Sequence, residues 1–428
     1  MLNLPIDFKN RIEKRWGDSS EFFASYENAP QRAIRVNILK ISVDDFKKIS
    51  PFVLESVPWE KNGFYVDGDK LGKTALHSAG AYYVQEPSAM SAVPLLDVKK
   101  GERVLDMCSA PGGKGTQCAQ ALDGEGIVVL NEIIFSRAKI LSQNVERLGV
   151  KNAVVTCASP AEIAKNFVNY FDKIIVDAPC SGEGMFKKEQ SAIDEWSEQN
   201  VSLCATRQKE ILECASIALK VGGKMVYSTC TFAEEEDEWQ IETFLKNHPE
   251  FTLIKAEKLL PHKVRGEGHF CALLQKNGEI TGDEQTPTLK ATFSDKKLIA
   301  EYKSFEKQTL FVEFGNLHLV GDTLYSLPDQ TPKTSLQTLR AGVRLGTFTK
   351  GRFQPDQSLA SCLKKGECKH ITLNENQTLS YLAGNTISCD DELKGWYVIF
   401  FDDLSVGWGK AVQGTLKNHY PKGLRINK

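Results

Sequence analysis

Two of the eleven cysteines in this chain stand in matching settings. Asp177-Ala178-Pro179-Cys180-Ser181-Gly182-Glu183-Gly184 follows the apolar run from Lys173, and Tyr227-Ser228-Thr229-Cys230-Thr231 follows the run from Lys224. Each run reads as a buried strand, so each cysteine lies just past a carboxyl end, where open α/β sheets bind their ligands. A lone buried cysteine is ordinarily a small hydrophobe. Two at equivalent strand ends, one beside an acid and a proline, point instead to thiol chemistry. A thiolate can form a covalent intermediate, and an acid beside it can hydrogen-bond or protonate the substrate. A second thiol can serve the release step. The residues alone leave open which cysteine attacks. No Cys-x-x-Cys spacing exists, and Cys362, Cys368 and His370 lack a fourth ligand, so no metal is expected.

A second constellation lies upstream. Val104-Leu105-Asp106-Met107-Cys108-Ser109-Ala110-Pro111-Gly112-Gly113-Lys114 follows a strand and opens a helix. Its small residues let a ligand approach the backbone, and the helix start offers free amides to a carboxylate or other anion. A phosphate-binding Walker loop would need Gly where Cys108 stands and Ser or Thr where Gly115 stands. The dinucleotide fingerprint breaks at Cys118. Glu132, ending the next strand, is placed to hold two ribose hydroxyls. A nucleoside-bearing cofactor is therefore expected beside the two thiols.

One reaction needs this whole set. Carbon 5 of cytosine is barely nucleophilic until a thiolate adds to carbon 6 and makes the ring enamine-like. An acid such as Asp177 must then meet the N3 edge, and the proton on carbon 5 must leave before the thiol can depart.

The elements that must position these residues alternate as in a parallel sheet from about Ala81 to Lys276. The strands are Arg103–Met107, Gly126–Asn131, Asn152–Thr156, Lys173–Asp177 and Lys224–Tyr227. Ser136 is placed to cap a helix carrying Ala138, Leu141, Val145 and Leu148, and further helices are expected over Val201–Leu219 and Glu234–His248. With 428 residues the chain has room for several domains. We divide it into an N-terminal α/β cap that meets RNA (1–75), the catalytic domain (76–278), a polar linker (279–297), a first C-terminal domain (298–370) and a second (371–428). Short alternating runs, Val320 to Leu327 and Trp396 to Phe401, make the tail mainly β and barrel-like.

Composition limits the partners. Hydrophobic residues at 41% and charged residues at 25% are ordinary for a chain with real cores. No apolar stretch approaches the ~18–20 residues of a membrane span, and the start lacks a basic segment followed by an apolar run. Scattered, odd-numbered cysteines suit free thiols in a reducing cytoplasm. A net charge of −2 argues against a generally sticky nucleic-acid binder. Yet Lys333–His370 holds eight Lys or Arg against two acids, and Trp408–Lys428 holds five against none. Phosphate contacts need only such local charge.

Taken together, Asp106 to Lys114, Asp177 to Gly182 and Ser228 to Thr231 resemble the Sun/nucleolar-protein family of RNA cytosine-5 methyltransferases. Tyr83-Val84-Gln85-Glu86-Pro87-Ser88 and Gly266-Glu267-Gly268-His269-Phe270 look like its flanking motifs, and the resemblance runs from about Arg32 to Lys276. The tail, with Trp396, Gly407-Trp408-Gly409-Lys410 and Lys417 to Arg425, looks like the end of bacterial enzymes that methylate 16S ribosomal RNA. In those the last domain is similar to the β-barrel RNA-binding module PUA.

The resemblance implies a Rossmann-like S-adenosylmethionine-dependent methyltransferase domain between a small α/β domain and a PUA-like C-terminal region. It implies Cys230 as nucleophile, Cys180 as the group assisting release, Asp177 against the cytosine and Lys114 between cofactor and base. Ser109, Ala110, Pro111, Gly112, Gly113 and Lys114 would line the cofactor, with Asp177 at its edge and Cys108 packing within the turn. Glu132 would hold the ribose, with Arg137 nearby. Where the family commonly has an acid against the adenine, this chain has Ser159, a weaker acceptor. The implied partner is small-subunit ribosomal RNA, naked or as an assembled 30S particle, met by a cytoplasmic monomer with no membrane attachment. Three other readings remain. DNA cytosine methyltransferases attack with the cysteine of a Pro-Cys pair, here Cys180. An assembly factor could keep the fold without catalysis. An amino-group methyltransferase would show a second proline and an aromatic after Asp177.

Overall fold

The computed structural model describes residues 2–279, 288–289 and 293–426. At its centre are five apolar runs that are buried along their length rather than on alternate residues, the pattern of strands covered on both faces. They form β1 (Arg103–Asp106), β2 (Ile127–Asn131), β3 (Ala153–Thr156), β4 (Phe171–Asp177) and β5 (Leu219–Thr229). After them come β6 (Phe251–Leu259), β7 (His269–Lys276) and, far along the chain, β8 (Thr338–Ala341). The sheet order is β6-β7-β5-β4-β1-β2-β3-β8. β1 to β5 are mutually parallel, while β7 runs antiparallel to both β5 and β6. The order reverses between β1 and β4, and a crevice outside their carboxyl ends is where such sheets hold ligands.

Each face of the sheet has its own core. Leu105, Val129, Ile174, Val176, Met225 and Tyr227 pack on one side, and Val104, Val128, Leu130, Ile175 and Val226 on the other. The covering helices are α1 (Gly113–Leu122), α2 (Phe135–Arg147), α3 (Pro160–Asn166), α4 (Glu198–Ala218) and α5 (Glu238–Asn247). Ala138, Leu141 and Val145 are the buried face of α2, as their spacing predicts. Ser136 does not cap it. The helix starts one residue earlier, with Ile134 at the cap position and no side-chain cap bond.

β8 belongs to the stretch read as a first C-terminal domain, yet it adds antiparallel to the open edge of β3, Thr338 opposite Thr156 and Ala341 opposite Val154. An exposed edge strand presents unpaired amides and carbonyls that invite pairing, and this segment satisfies them. Arg340 fixes the join through an ion pair with Glu146 of α2 and a 2.7 Å hydrogen bond to Ser358. Most of the segment read as a linker, 279–297, lies outside the described residues; its last two residues open the helix Lys296–Thr309.

The N-terminal region is a helix, Ile6–Trp16, and a four-stranded sheet containing Ala33–Val36, Gly63–Tyr65 and Tyr82–Val84. The tail is mainly β. One four-stranded sheet includes Val343–Thr349, and one five-stranded sheet includes Gly395–Phe401 and Leu404–Val412. The last region closes back on the first: Ile34, Leu76 and Tyr82 share a core with Leu373, Tyr381 and Val406. No helix among the described residues is long and apolar enough to cross a membrane.

Candidate active site

The cofactor end is built around β1 to β3. β1 delivers Asp106 to the turn, and Gly112, at φ +113°, starts α1 in a conformation that favours glycine. A side chain on Gly115 would press within 2.7 Å of Ser109 Oγ and 2.8 Å of Asp106 Oδ2, so the first turn of α1 can sit against the strand only as glycine. Asp106 is buried and accepts from Ser109 Oγ at 2.9 Å, while its Oδ1 has no partner among the described residues. Burial first, and then the charge of Asp177, push its carboxyl up to about 7. Asn131 stitches three loops together: its amide donates to the carbonyls of Met107 (3.2 Å) and Ala158 (2.9 Å), and its Oδ1 accepts from Thr156 (2.9 Å).

Glu132 is buried at the end of β2. It accepts from the amide of Ile134 at 2.9 Å and pairs with Arg137 at 3.4 Å, and Arg137 donates to the carbonyl of Ala110 at 2.9 Å. Glu132 and the glycine-rich turn are thereby one unit. Ser159 is placed differently. Its hydroxyl accepts from the amide of Glu162 and donates to that carboxylate at 2.7 Å, a capping box that starts α3. Cys108 packs beside the core of the first face, and burial drives its thiol far up, away from reactivity. An orphaned buried carboxylate oxygen, a turn that excludes side chains and a buried acid after β2 fit a nucleoside carrying an amino-acid tail. S-adenosylmethionine has that shape.

The chemistry end is built on β4, β5 and β7. Lys114, buried at the start of α1, places its ammonium 2.8 Å from Asp177 Oδ1, and Ser228 Oγ donates to the same oxygen at 2.9 Å. Burial would raise the Asp177 carboxyl; the Lys114 ammonium, together with its other neighbours including the Ser228 hydroxyl, outweighs it and holds the group below its usual range. Cys180 and Cys230, fifty residues apart, bring their sulfurs to 3.2 Å, and the amide of Cys230 lies 3.4 Å from Cys180 Sγ. The hydrogen bond to Cys230 and then burial raise the Cys180 thiol well above its ordinary value, so Cys180 keeps its proton.

Two buried acids hold these cysteine loops, and sequence reading gave neither a role. Glu183 accepts from the Trp196 indole at 3.0 Å and from the amide of Phe232 at 2.8 Å. Glu236 accepts from the amide of Ser181 at 3.0 Å and from Gln208 at 2.8 Å. The amide of Gly184 donates to the carbonyl of Cys230 at 2.8 Å, and Ser181 and Thr231 join their hydroxyls at 2.8 Å. His269 is a third such residue. It precedes Phe270, which pairs with Thr229, and it is buried with neither ring nitrogen partnered among the described residues. Burial, then Lys114, lowers it to about 3 and keeps the ring neutral. Glu183 and His269 lie inside motifs that stood out in the sequence. Glu236 lies in Glu234-Glu235-Glu236-Asp237, where nothing separates a buried acid from exposed ones. No cluster of three or more His, Cys, Asp or Glu that could hold a metal occurs among the described residues.

A largely parallel sheet with a reversed penultimate strand, a glycine-rich turn after β1 and a buried acid after β2 is the fold of S-adenosylmethionine-dependent methyltransferases. The particular family follows from comparison. Residues 93–275 match 16S rRNA methyltransferase RsmB/F, and residues 4–87 match the N-terminal domain of 16S rRNA methyltransferase RsmF. Residues 304–363 match the RsmF first C-terminal domain, and 368–426 the methyltransferase RsmF PUA domain. The chain is 32% identical to ribosomal RNA small subunit methyltransferase F of Vibrio vulnificus, covering 94% of this chain and 93% of that protein. It is 31% identical to the Vibrio cholerae protein of the same description, covering 99% and 98%. The chain belongs to this RsmF family of methyltransferases. Among solved structures, a methyltransferase homolog protein from Pyrococcus horikoshii superposes with a TM-score of 0.58 at 31% identity, over 64% of this chain and 96% of that one. NSun6 from the same organism, solved with SFG, has a TM-score of 0.58 over 64% and 99%; at 20% identity it bears on the fold alone.

Proposed function

We propose that this chain transfers the methyl group of S-adenosylmethionine to carbon 5 of a cytosine in 16S ribosomal RNA, through a covalent bond between Cys230 and carbon 6. The observation that carries the reading is the pair of sulfurs 3.2 Å apart, beside the Lys114–Asp177 pair and next to the glycine-rich turn. The bound cofactor supplies an electrophilic methyl on a sulfonium. The chain's own residues do the rest. Glu132, Arg137 and the turn from Ser109 to Gly113 hold the nucleoside and its tail. Cys230 gives its thiol proton to solvent and its Sγ adds to carbon 6. The displaced electron pair makes carbon 5 nucleophilic, N3 takes up a proton from solvent, and the Asp177 carboxylate accepts a hydrogen bond from that N3–H. Carbon 5 then bonds to the methyl carbon as the methyl–sulfonium bond breaks, its electron pair staying on the cofactor's sulfur. Lys114 keeps Asp177 aimed between cofactor and base. Once carbon 5 carries the methyl, its proton passes to a solvent base and the carbon–sulfur bond breaks, its electron pair returning to Cys230. Cys180, protonated and in contact, hydrogen-bonds the departing sulfur.

The target base must be flipped out or unpaired to reach the sulfurs. The N-terminal cap (1–75) and the PUA-like domain (371–428) would hold the surrounding RNA, met as an assembled 30S particle by a monomer. Eleven free cysteines suit a reducing cytoplasm. Labelled cofactor, 16S RNA and assembled 30S subunits test the proposal. Cys180→Ser should accumulate a covalent RNA–protein complex and Cys230→Ser should form none. The opposite pattern makes Cys180 the nucleophile, and a wild-type chain that labels neither RNA form is a catalytically silent assembly factor.

A further inference from the structure

The motif Tyr83 to Ser88 has no role in the chemistry just described, yet it lines a cleft of about 440 Å³ at the seam between the N-terminal sheet and the cysteine loops. Its lining includes Arg32, Asp69, Val84, Gln85, Glu86, Lys187 and Lys188. The cleft adjoins the active site at two points. Gln85 packs against Gly113 of the cofactor turn, its amide 3.4 Å from where a side chain on that glycine would begin. Lys187 and Lys188 follow the Cys180 loop directly, in the segment whose Gly184 amide is bonded to the Cys230 carbonyl.

The lining has three kinds of unused capacity. Val84 is exposed on a strand where its neighbours are buried. Gln85 is itself buried and gives its carbonyl oxygen to Arg35, while its amino group donates to nothing among the described residues. Lys188 has no acidic partner among them; Arg32 donates to the Gly68 carbonyl and pairs with the exposed Asp69, which lines the same cleft, contacts worth little in water. The Glu86 carboxylate is engaged by the amides of Ala89 (2.7 Å) and Glu267 (2.9 Å). Lys187 is likewise bound to Glu267 at 2.8 Å. An apolar plate, one free amide donor and two available cations at the rim, in a space of ligand-pocket size, suit one chemical unit: an unpaired nucleotide with its phosphate. We propose that this cleft binds the ribonucleotide next to the target cytosine. The base lies over Val84, within reach of the Gln85 amide, and the phosphate lies between Arg32 and Lys188. The inference rests on the RNA-methylating reading above.

The test measures methyl transfer by the full-length chain to 16S RNA and to 30S subunits as salt is varied. Lys188→Ala and Arg32→Ala should each raise KM for RNA about three- to tenfold with kcat and cofactor affinity unchanged. Each should also flatten the plot of log affinity against log salt by about one. Gln85→Glu keeps the acceptor used by Arg35, removes the free donor and adds a carboxylate that faces the Arg35 guanidinium; it should raise KM for RNA while leaving cofactor affinity within twofold. Lys99→Ala, at an exposed ion pair with Asp97 ahead of the amino end of β1, serves as the control and should match wild type. Wild-type KM and salt slope in all three cleft variants would overturn the proposal. A rise in KM on 30S subunits with none on naked RNA would overturn it too, by making the cleft a site for a ribosomal protein. Failure of the wild type to methylate any RNA would remove the underlying reading, and this proposal with it.

Discussion

The two ends of the carboxyl edge are assembled in different ways. At the cofactor end most of the side chains are held by near neighbours in sequence, Ser109 by Asp106, Glu132 by Ile134 and Arg137, Ser159 by Glu162, with Asn131 and Arg137 adding the bonds that join one loop to the next. At the chemistry end they are held across long stretches of chain. Asp177 is held by Lys114 and Ser228, the Cys180 loop by Glu236 and Gln208, and the Cys230 loop by Glu183 and Gly184. A cofactor common to many reactions needs a turn that forms locally. A thiol pair specific to one reaction needs the whole domain folded before its geometry exists. Cofactor binding and methyl transfer should therefore separate under mutation.

Asp177→Asn should break the chemistry end most severely. It strips the buried Lys114 ammonium of its counter-charge, which costs about 3 kcal/mol in comparable sites, and it removes the carboxylate proposed for the N3 edge. Methyl transfer should fall at least a thousandfold by the usual weight of such groups, while equilibrium dialysis finds S-adenosylmethionine binding weakened by less than about tenfold. Loss of both together would mean that Asp177 serves the cofactor first and that the two ends are not separable.

The same contrast explains what could be read in advance. β1 to β5, the helix on Ala138, Leu141 and Val145, and the turn from Asp106 to Lys114 rest on contiguous periodicity and on small residues at fixed offsets, so they were legible. The approach of Cys180 to Cys230 was legible only as two sulfurs at matching strand ends. That β8 would leave the tail and close the edge of β3 was not legible, because a four-residue strand carries no signal of its partner. Glu183 and Glu236 were missed for a related reason: a buried acid is marked by the donors it meets, here Trp196, Phe232, Ser181 and Gln208, and those meet it only in the fold. Ser136 failed as a cap because the chain enters the helix one residue before it.

Glu236 offers a sharper test of the chemistry end. Burial raises its carboxyl to about 7 from an ordinary value of 4.5. A raised carboxyl means that the folded chain prefers the protonated form. Its contribution to stability is complete below about pH 4.5, is lost as pH climbs through 7, and is gone above that. Urea midpoints should therefore fall between pH 5 and 8 by an amount equivalent to roughly 2 kcal/mol. Glu236→Gln should flatten that part of the slope. An unchanged slope in the variant would place the titration elsewhere.

Glu132→Gln probes the opposite end. It keeps the acceptor for the Ile134 amide but loses the charge that faces Arg137. Cofactor affinity should drop about tenfold, the weight of one charged hydrogen bond. At saturating cofactor, methyl transfer should return to within about threefold of wild type. A deficit that persists at saturation would tie Glu132 to the chemistry.

Ser159 gives the smallest effect and the finest distinction. Its hydroxyl is committed to the capping box of α3, so Ser159→Ala should cost about 1 kcal/mol of stability, the usual value of a lost helix cap. Cofactor affinity should be almost unmoved, because the hydroxyl already points at Glu162. Asp caps as well as Ser does and would place a carboxylate where related enzymes commonly hold the adenine. Ser159→Asp keeps the cap on the Glu162 amide but sets its carboxylate against that of Glu162, so it should lower the melting temperature slightly. It should also tighten S-adenosylmethionine binding about threefold, the margin of a charged acceptor over a neutral one. If Ser159→Ala weakens the cofactor as much as it weakens the fold, the hydroxyl is serving both. The cofactor end would then depend on α3 as well as on the turn after β1.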